Sequence, residues 1–249
     1  TVDENGTVTA LRPIETVTIT AVYKTNPALT CSWNLKITRT KGYITKQMLD
    51  NLDLTSIKKV MITAHPDDET LWGGGHLIEG EYLVVCMTHG WNPKRRTAFE
   101  QTMRTTNDKY LILDYPDVRK TFSNGKYETD MLSTCKNAMQ EDINLILSYK
   151  KWDLIATHNP FGEYGKFLHK TISQMVTQCY NKMTNKSATL YYFGRYYNSS
   201  NKIPGEQIAP ELLAIKNSMV GRYYPTAKGA IDAFGHMIPY ENWLLPSEW

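Results

Sequence analysis

VMITAHPDDETLWGGGHLIEGEYLVVCMT, residues 60–88, decides how this chain is built. VMITA (60–64) and YLVVCMT (82–88) are short apolar runs of buried-strand length, and ETLWGGGHLIEG (69–80) between them has the length of a helix. Two strands joined this way form a βαβ unit, because parallel strands need a crossover connection.

The same grammar continues toward the C-terminus. A helix is expected through 95–109, a strand at LILDY (111–115) and a long amphipathic helix at 130–150. A strand at DLIAT (153–157), a helix at 165–183 and a strand at ATLYYF (188–193) complete the series. Repeated βα units predict an α/β fold, a mostly parallel sheet with helices on both faces. In such sheets ligands collect beyond the carboxyl ends of the strands. HPDDE, THGWNPKRR, DYPD and HNPFGEYG all fall at strand ends of this kind.

Toward the N-terminus the pattern changes. Residues 1–39 alternate apolar and polar side chains, as in TVTITAVY (16–23), and Asn5-Gly6 supplies a turn. The stretch VDENGTVTALRPIETVTITAVYK resembles the second half of a bacterial immunoglobulin-like domain. That resemblance implies an association with the cell envelope and a secreted or cell-surface bacterial protein; the alternative is a plain β-rich extension. Residues 40–56 form a polar connection with room for one short helix, so the main domain is expected over 57–249.

Composition excludes several classes. With 28 basic against 25 acidic residues the net charge is +3, and the positive side chains are scattered, so nucleic acid is not an expected partner. No apolar run approaches the ~20 residues of a membrane-spanning helix. The first residues show no signal peptide. Cys31, Cys86, Cys135 and Cys179 have no zinc-finger spacing and are expected as free thiols.

His65, Asp67, Asp68 and Glu69 crowd the turn after the first parallel strand. Three carboxylates in one turn call for a cation, although an acidic turn capping the next helix is the plainer alternative. Zinc accepts an imidazole nitrogen and a carboxylate oxygen and keeps a position open when three protein ligands bind. His169, in the helix after the fourth strand, is the best placed third ligand beside His65 and Asp68. Of the paired acids, Asp68 is assigned to the metal and Asp67 to general base.

AHPDDE followed by TLWGGG, together with HNPFGEYG and a histidine four residues on, resembles the PIG-L-type, LmbE-like family of N-acetylglucosaminyl deacetylases over residues 57–249. The resemblance implies a Rossmann-like sheet, one zinc ion held by His65, Asp68 and His169, Asp67 as base, and a sugar, glycan or glycoconjugate substrate. It also implies an oxyanion donor at Tyr164. Where that family has a histidine, this chain has Lys166, which could donate to an oxyanion or mark a weakened site. Lys166 and His169, three apart, would share a helical face.

Four further residues are expected to contact substrate. Glu163 either braces its loop or touches the sugar. His158 either orients a ligand or bonds to backbone. Arg96, or its neighbour Arg95, either holds sugar hydroxyls or pairs with Glu100. His89 lines the crevice. Two readings compete with sugar deacetylation: a zinc amidase acting on another amide, and a surface carbohydrate-binding protein with little catalysis.

Overall fold

The computed structural model describes residues 1–11, 13–120, 127–128, 130–184 and 186–249. Its five-stranded parallel sheet is built from β3 (Lys59–Thr63), β4 (Tyr82–Thr88), β5 (Lys109–Tyr115), β8 (Leu154–Thr157) and β9 (Thr189–Tyr192), in the order β5-β4-β3-β8-β9. The α/β class and the Rossmann-like layering therefore hold. From β3 the chain steps outward to β4 and β5, then returns to the other side of β3 through β8. At that reversal the loops leaving β3 and β8 splay apart and leave a crevice. Register aligns the strand ends, with Thr63 beside Cys86, Ile62 beside Thr157 and Thr88 beside Tyr115.

Both faces of the sheet are buried, so alternate residues serve different cores. Val60, Ile62, Leu83 and Val85 face a cluster completed by α4 (Asp130–Tyr149) and α6 (Phe167–Lys182). Met61, Tyr82, Val84 and Cys86 face a second cluster under α2 (Asp68–Glu79), α3 (Pro93–Thr106) and α7 (Pro210–Phe234). The polar connection 40–56 contains α1 (Lys46–Asp50) and is built into the first core, with Ile44, Leu49 and Leu54 buried.

Three differences from the sequence reading matter, all of them in the helices. The helix expected over 95–109 starts earlier, capped by the Asn92 side chain, and yields to β5 at Lys109. The helix expected over 165–183 is two elements, α5 (Gly162–Gly165) and α6, broken at Lys166 with ψ 125°. α7 was not anticipated; Pro225, which cannot bond back to Gly221, sits inside it, followed by non-helical Ala227. The N-terminal segment holds an antiparallel pair, β1 (Ile14–Val22) and β2 (Thr30–Ile37), with Trp33 and Val22 exposed. A second antiparallel pair is β6 (Arg119–Lys120) with β7 (Tyr127–Glu128). All four cysteines are free thiols, and only Cys31 is exposed. No helix among the described residues is long and apolar enough to cross a membrane.

Candidate metal centre

The turn after β3 is strained, and the acid run divides to hold it. Asp67 has φ 144° and ψ −31°, outside the regions open to L-residues. Such a backbone costs about 1–3 kcal/mol and persists only where its surroundings fix it. Here the Glu69 carboxylate accepts the Asp67 N–H at 3.1 Å, and the Asp67 carbonyl accepts the N–H groups of Thr70 and Leu71 at 3.1 and 2.9 Å. Glu69 is fully buried and also accepts from Tyr223 Oη at 2.5 Å and Thr70 Oγ1 at 2.7 Å. It therefore braces the turn, leaving Asp67 and Asp68 to face the crevice, two acids rather than the three the sequence suggested.

Across the crevice, the loop after β8 is pinned by Asn159. Its amide donates to the Phe193 and Gly194 carbonyls at 3.1 and 3.0 Å, and its Oδ1 accepts from the N–H groups of Phe161 and Glu163. This places Glu163, itself at φ 55°, beneath two histidines. Its Oε2 accepts from His158 Nδ1 at 3.1 Å and from His169 Nδ1 at 2.5 Å. His158 Nε2 in turn accepts the Ala64 N–H at 2.9 Å, which fixes its neutral tautomer, and its ring stacks on His169 at 3.9 Å between centroids.

Three donor atoms converge where the loops meet. His65 Nδ1 lies 3.0 Å from His169 Nε2 and 3.2 Å from Asp68 Oδ2, and His169 Nε2 lies 3.4 Å from Asp68 Oδ2. A tetrahedral zinc with ligands at ~2.0–2.2 Å needs donor–donor edges of about 3.3–3.6 Å. The observed triangle is that face, slightly contracted. Each histidine has its far nitrogen engaged by a carboxylate: His169 Nδ1 by Glu163, and His65 Nε2 by Asp117 at 3.0 Å. These partners orient the near nitrogens toward one another. Such a set of facing lone pairs can be answered by a proton or by a metal ion. Burial holds His169 down at about 4 and so neutral. For His65, burial opposes charge, but Asp117 and Asp68 outweigh it and push the imidazole up to about 9. A metal ion would compete with one proton for the same position, and the two nitrogens and one oxygen are a donor set that zinc accepts.

Beside the triangle opens a cavity of about 100 Å³, lined by the polar side chains of Asp67, Asp68, Arg95, Asp117 and Lys166 together with Trp72, Tyr164 and Phe234. Burial, then the Asp68 charge, pushes Asp67 up to about 7 against the opposing pull of Arg95, whose Nη2 lies 3.2 Å from Asp67 Oδ2. Burial and then the charges of Asp68 and Asp67 push the Tyr164 phenol up, so it stays a donor.

The structure brings together His65, Asp67, Asp68, Tyr164, Lys166 and His169. Lys166 reaches the cavity although it is not helical, so the shared-face argument does not explain its position. The substrate contacts expected of His158 and Glu163 are corrected: both side chains are fully buried behind His169 and position it. Arg96 is corrected too, since it bonds to Glu100 at 3.2 Å and to the Gly90 carbonyl at 3.3 Å, and Arg95 takes the cavity. His89 is not a lining residue; it sits behind Asp117, its Nε2 3.5 Å from Asp117 Oδ2. Asp117 and Phe234 were missed. The DYPD segment at a strand end pointed to the first, and nothing in the pattern pointed to the second.

No protein-family model matches the chain. It is 31% identical over 175 residues to uncharacterized protein L374 of Acanthamoeba polyphaga mimivirus, a match covering 64% of this chain and 67% of that protein. Among solved structures, the conserved protein TT1542 from Thermus thermophilus superposes with a TM-score of 0.52 at 11% identity, covering 78% of this chain and 96% of TT1542. That likeness concerns the fold.

Proposed function

The chain belongs to the same family as uncharacterized protein L374 of Acanthamoeba polyphaga mimivirus, and we propose that it is a zinc-dependent hydrolase that removes the acetyl group from an N-acetylated sugar. The observation that carries the proposal is the donor triangle of His65, Asp68 and His169, with edges of 3.0 to 3.4 Å beside a strained, buried acid. The substrate class rests on the resemblance of HPDDE and HNPFGEYG to the PIG-L-type deacetylases.

When bound, zinc would polarise the amide carbonyl and acidify a water. The chain's own groups divide the remaining work. Asp67, free of the triangle and raised toward neutrality, takes the proton of the attacking water. Arg95 holds the Asp67 carboxylate in place through Nη2. Tyr164 and Lys166, both at the cavity, are the donors for the charge that grows on the carbonyl oxygen. The departing amine must collect a proton, and Asp67, protonated by the first step, is the nearest source. Trp72, Ala230 and Phe234 form an apolar wall that excludes water from the acetyl methyl.

Zinc-loaded protein incubated with N-acetylglucosamine oligomers should release primary amine. Asp67→Asn should keep its zinc and lose about 10²–10⁴-fold in rate. Undiminished turnover in that variant would remove Asp67 from the mechanism. No amine release by the zinc-loaded wild type, with sugar binding retained, would favour a carbohydrate-binding module instead.

A further inference from the structure

His89 is the residue that the proposed reaction leaves without a task. It follows β4 with φ 65°, a left-handed backbone that is uncommon for any residue but glycine and costs free energy to maintain. That backbone directs the ring inward, where neither nitrogen makes a hydrogen bond and neither touches water. Buried polar atoms left this way call for a partner such as an ion or an ordered water. The nearest polar atom is Asp117 Oδ2, at 3.5 Å from His89 Nε2. The other oxygen of that carboxylate, Oδ1, lies 3.0 Å from His65 Nε2 and accepts the Val118 N–H at 2.7 Å. His65, His89 and Asp117 can each present one ligand atom with all three within 4.8 Å of one another.

We propose that these three residues form a second divalent-cation site, weaker than the first and sharing His65 with it. Two imidazole nitrogens and one carboxylate oxygen suit zinc and its late first-row neighbours better than magnesium or calcium, which favour oxygen. Entry of the ion requires His65 Nε2 to release its proton to solvent, after which the ring is an imidazolate with one ion on each nitrogen. The same entry removes the hydrogen bond from His65 to Asp117 that orients the first site. Occupancy therefore requires zinc in excess, and the second ion acts against the first site by taking away its support.

The test counts ions and needs no substrate. Chelator-stripped protein is dialysed against a series of buffered zinc concentrations and its bound zinc measured. The wild type should bind one equivalent tightly and a second at least 100-fold more weakly, with a proton released on the second step. His89→Gln should keep the tight equivalent unchanged and lose the second, and a melting curve matching the wild type shows that the variant is folded. Cobalt substitution should add a second set of absorption bands in the wild type alone. A single equivalent in the wild type overturns this proposal and leaves the deacetylase reading intact. A second equivalent that survives in His89→Gln overturns it as well, by placing that ion elsewhere. No zinc at all would overturn both.

Discussion

Two groups of buried charge sit along helix α2, one at its N-terminus and one at the start of its second half, and they resolve that charge differently. α2 is non-helical at Gly73, so its second half begins with unbonded N–H groups of its own. Glu241 accepts two of them, from Gly75 at 2.7 Å and His76 at 3.1 Å, and pairs with Lys216 Nζ at 2.6 Å. The glycines make this possible, since a Cβ at Gly74 would lie 2.9 Å from the Lys216 stem and one at Gly75 would lie 3.1 Å from the Glu241 carboxylate. One positive charge meets one negative charge there, and the oxygens are answered. At the N-terminus, Asp67, Asp68 and two imidazole nitrogens crowd together, with Arg95 against Asp67, Lys166 at the cavity and a single proton inside the triangle. Burial is alike in the two groups, so burial does not mark the site. What marks it is an excess of lone pairs that no side chain among the described residues satisfies.

The widest separation between the two groups should come from His65→Ala. It removes one corner of the triangle, and the dialysed variant should retain almost no zinc while melting as a folded protein. Full zinc occupancy in that variant would refute the ligand assignment. Glu241→Gln should do the opposite, keeping zinc and losing stability. It leaves Lys216 charged, unpaired and out of water, an effect of about 3–5 kcal/mol. For a chain of this size that is a fall of roughly 6–20 °C in melting temperature. The double variant Lys216→Met with Glu241→Gln should recover much of the loss, because the stranded charge is gone. A Glu241→Gln protein that melts with the wild type would show that the pair is not the balanced unit described here.

A smaller effect separates ligands from the residues that aim them. Glu163→Gln keeps the shape beneath His158 and His169 but weakens the acceptor that fixes the His169 tautomer. Zinc affinity should fall about 10–100-fold, the range for such outer partners. A competition titration against a chelator of known affinity would measure it, and an unchanged affinity would make Glu163 a loop brace only.

How much of this was legible depends on whether a residue's role is local. The β3–α2–β4 unit could be seen because run length and apolar content are properties of the segment itself. The HPDDE turn could be seen because its donors are adjacent in sequence. α7 could not: Pro225, Gly221 and Gly229 interrupt its pattern, and buried Lys216 disguises the face that packs on the sheet. The choice between Arg95 and Arg96 depends on helix phase, since neighbours differ by about 100° around the axis. The Asn92 cap sets that phase by accepting the Lys94 and Arg95 N–H groups, a geometric fact no spacing rule conveys. Asp117 gains its role only when the sheet register sets the end of β5 beside the end of β4, one strand away from His65. His158 and Glu163 were correctly placed near the site and misassigned, because a strand-end histidine behind a ligand and one in front of it look the same in sequence.

The gentlest probe of the contrast is pH, and it acts on the open cluster through His65. The folded chain holds a proton on His65 up to about 9, against about 6.5 when unfolded. In the metal-free protein this proton contributes stability that is fully present below about 6.5 and is lost as the pH rises through about 9. In the proposed site zinc would take the proton's place, so its binding must release that proton wherever His65 is still charged. Apparent zinc affinity should then rise about tenfold per pH unit from about 6.5 and level off near 9, with one proton appearing per zinc bound. The Lys216–Glu241 pair takes no part in that exchange, so Glu241→Gln should show the same slope as the wild type from a less stable starting point. A zinc affinity that stays flat between pH 6.5 and 8.5 would mean that no proton occupies the centre of the triangle, and the two charge groups along α2 would then differ less than their geometry implies.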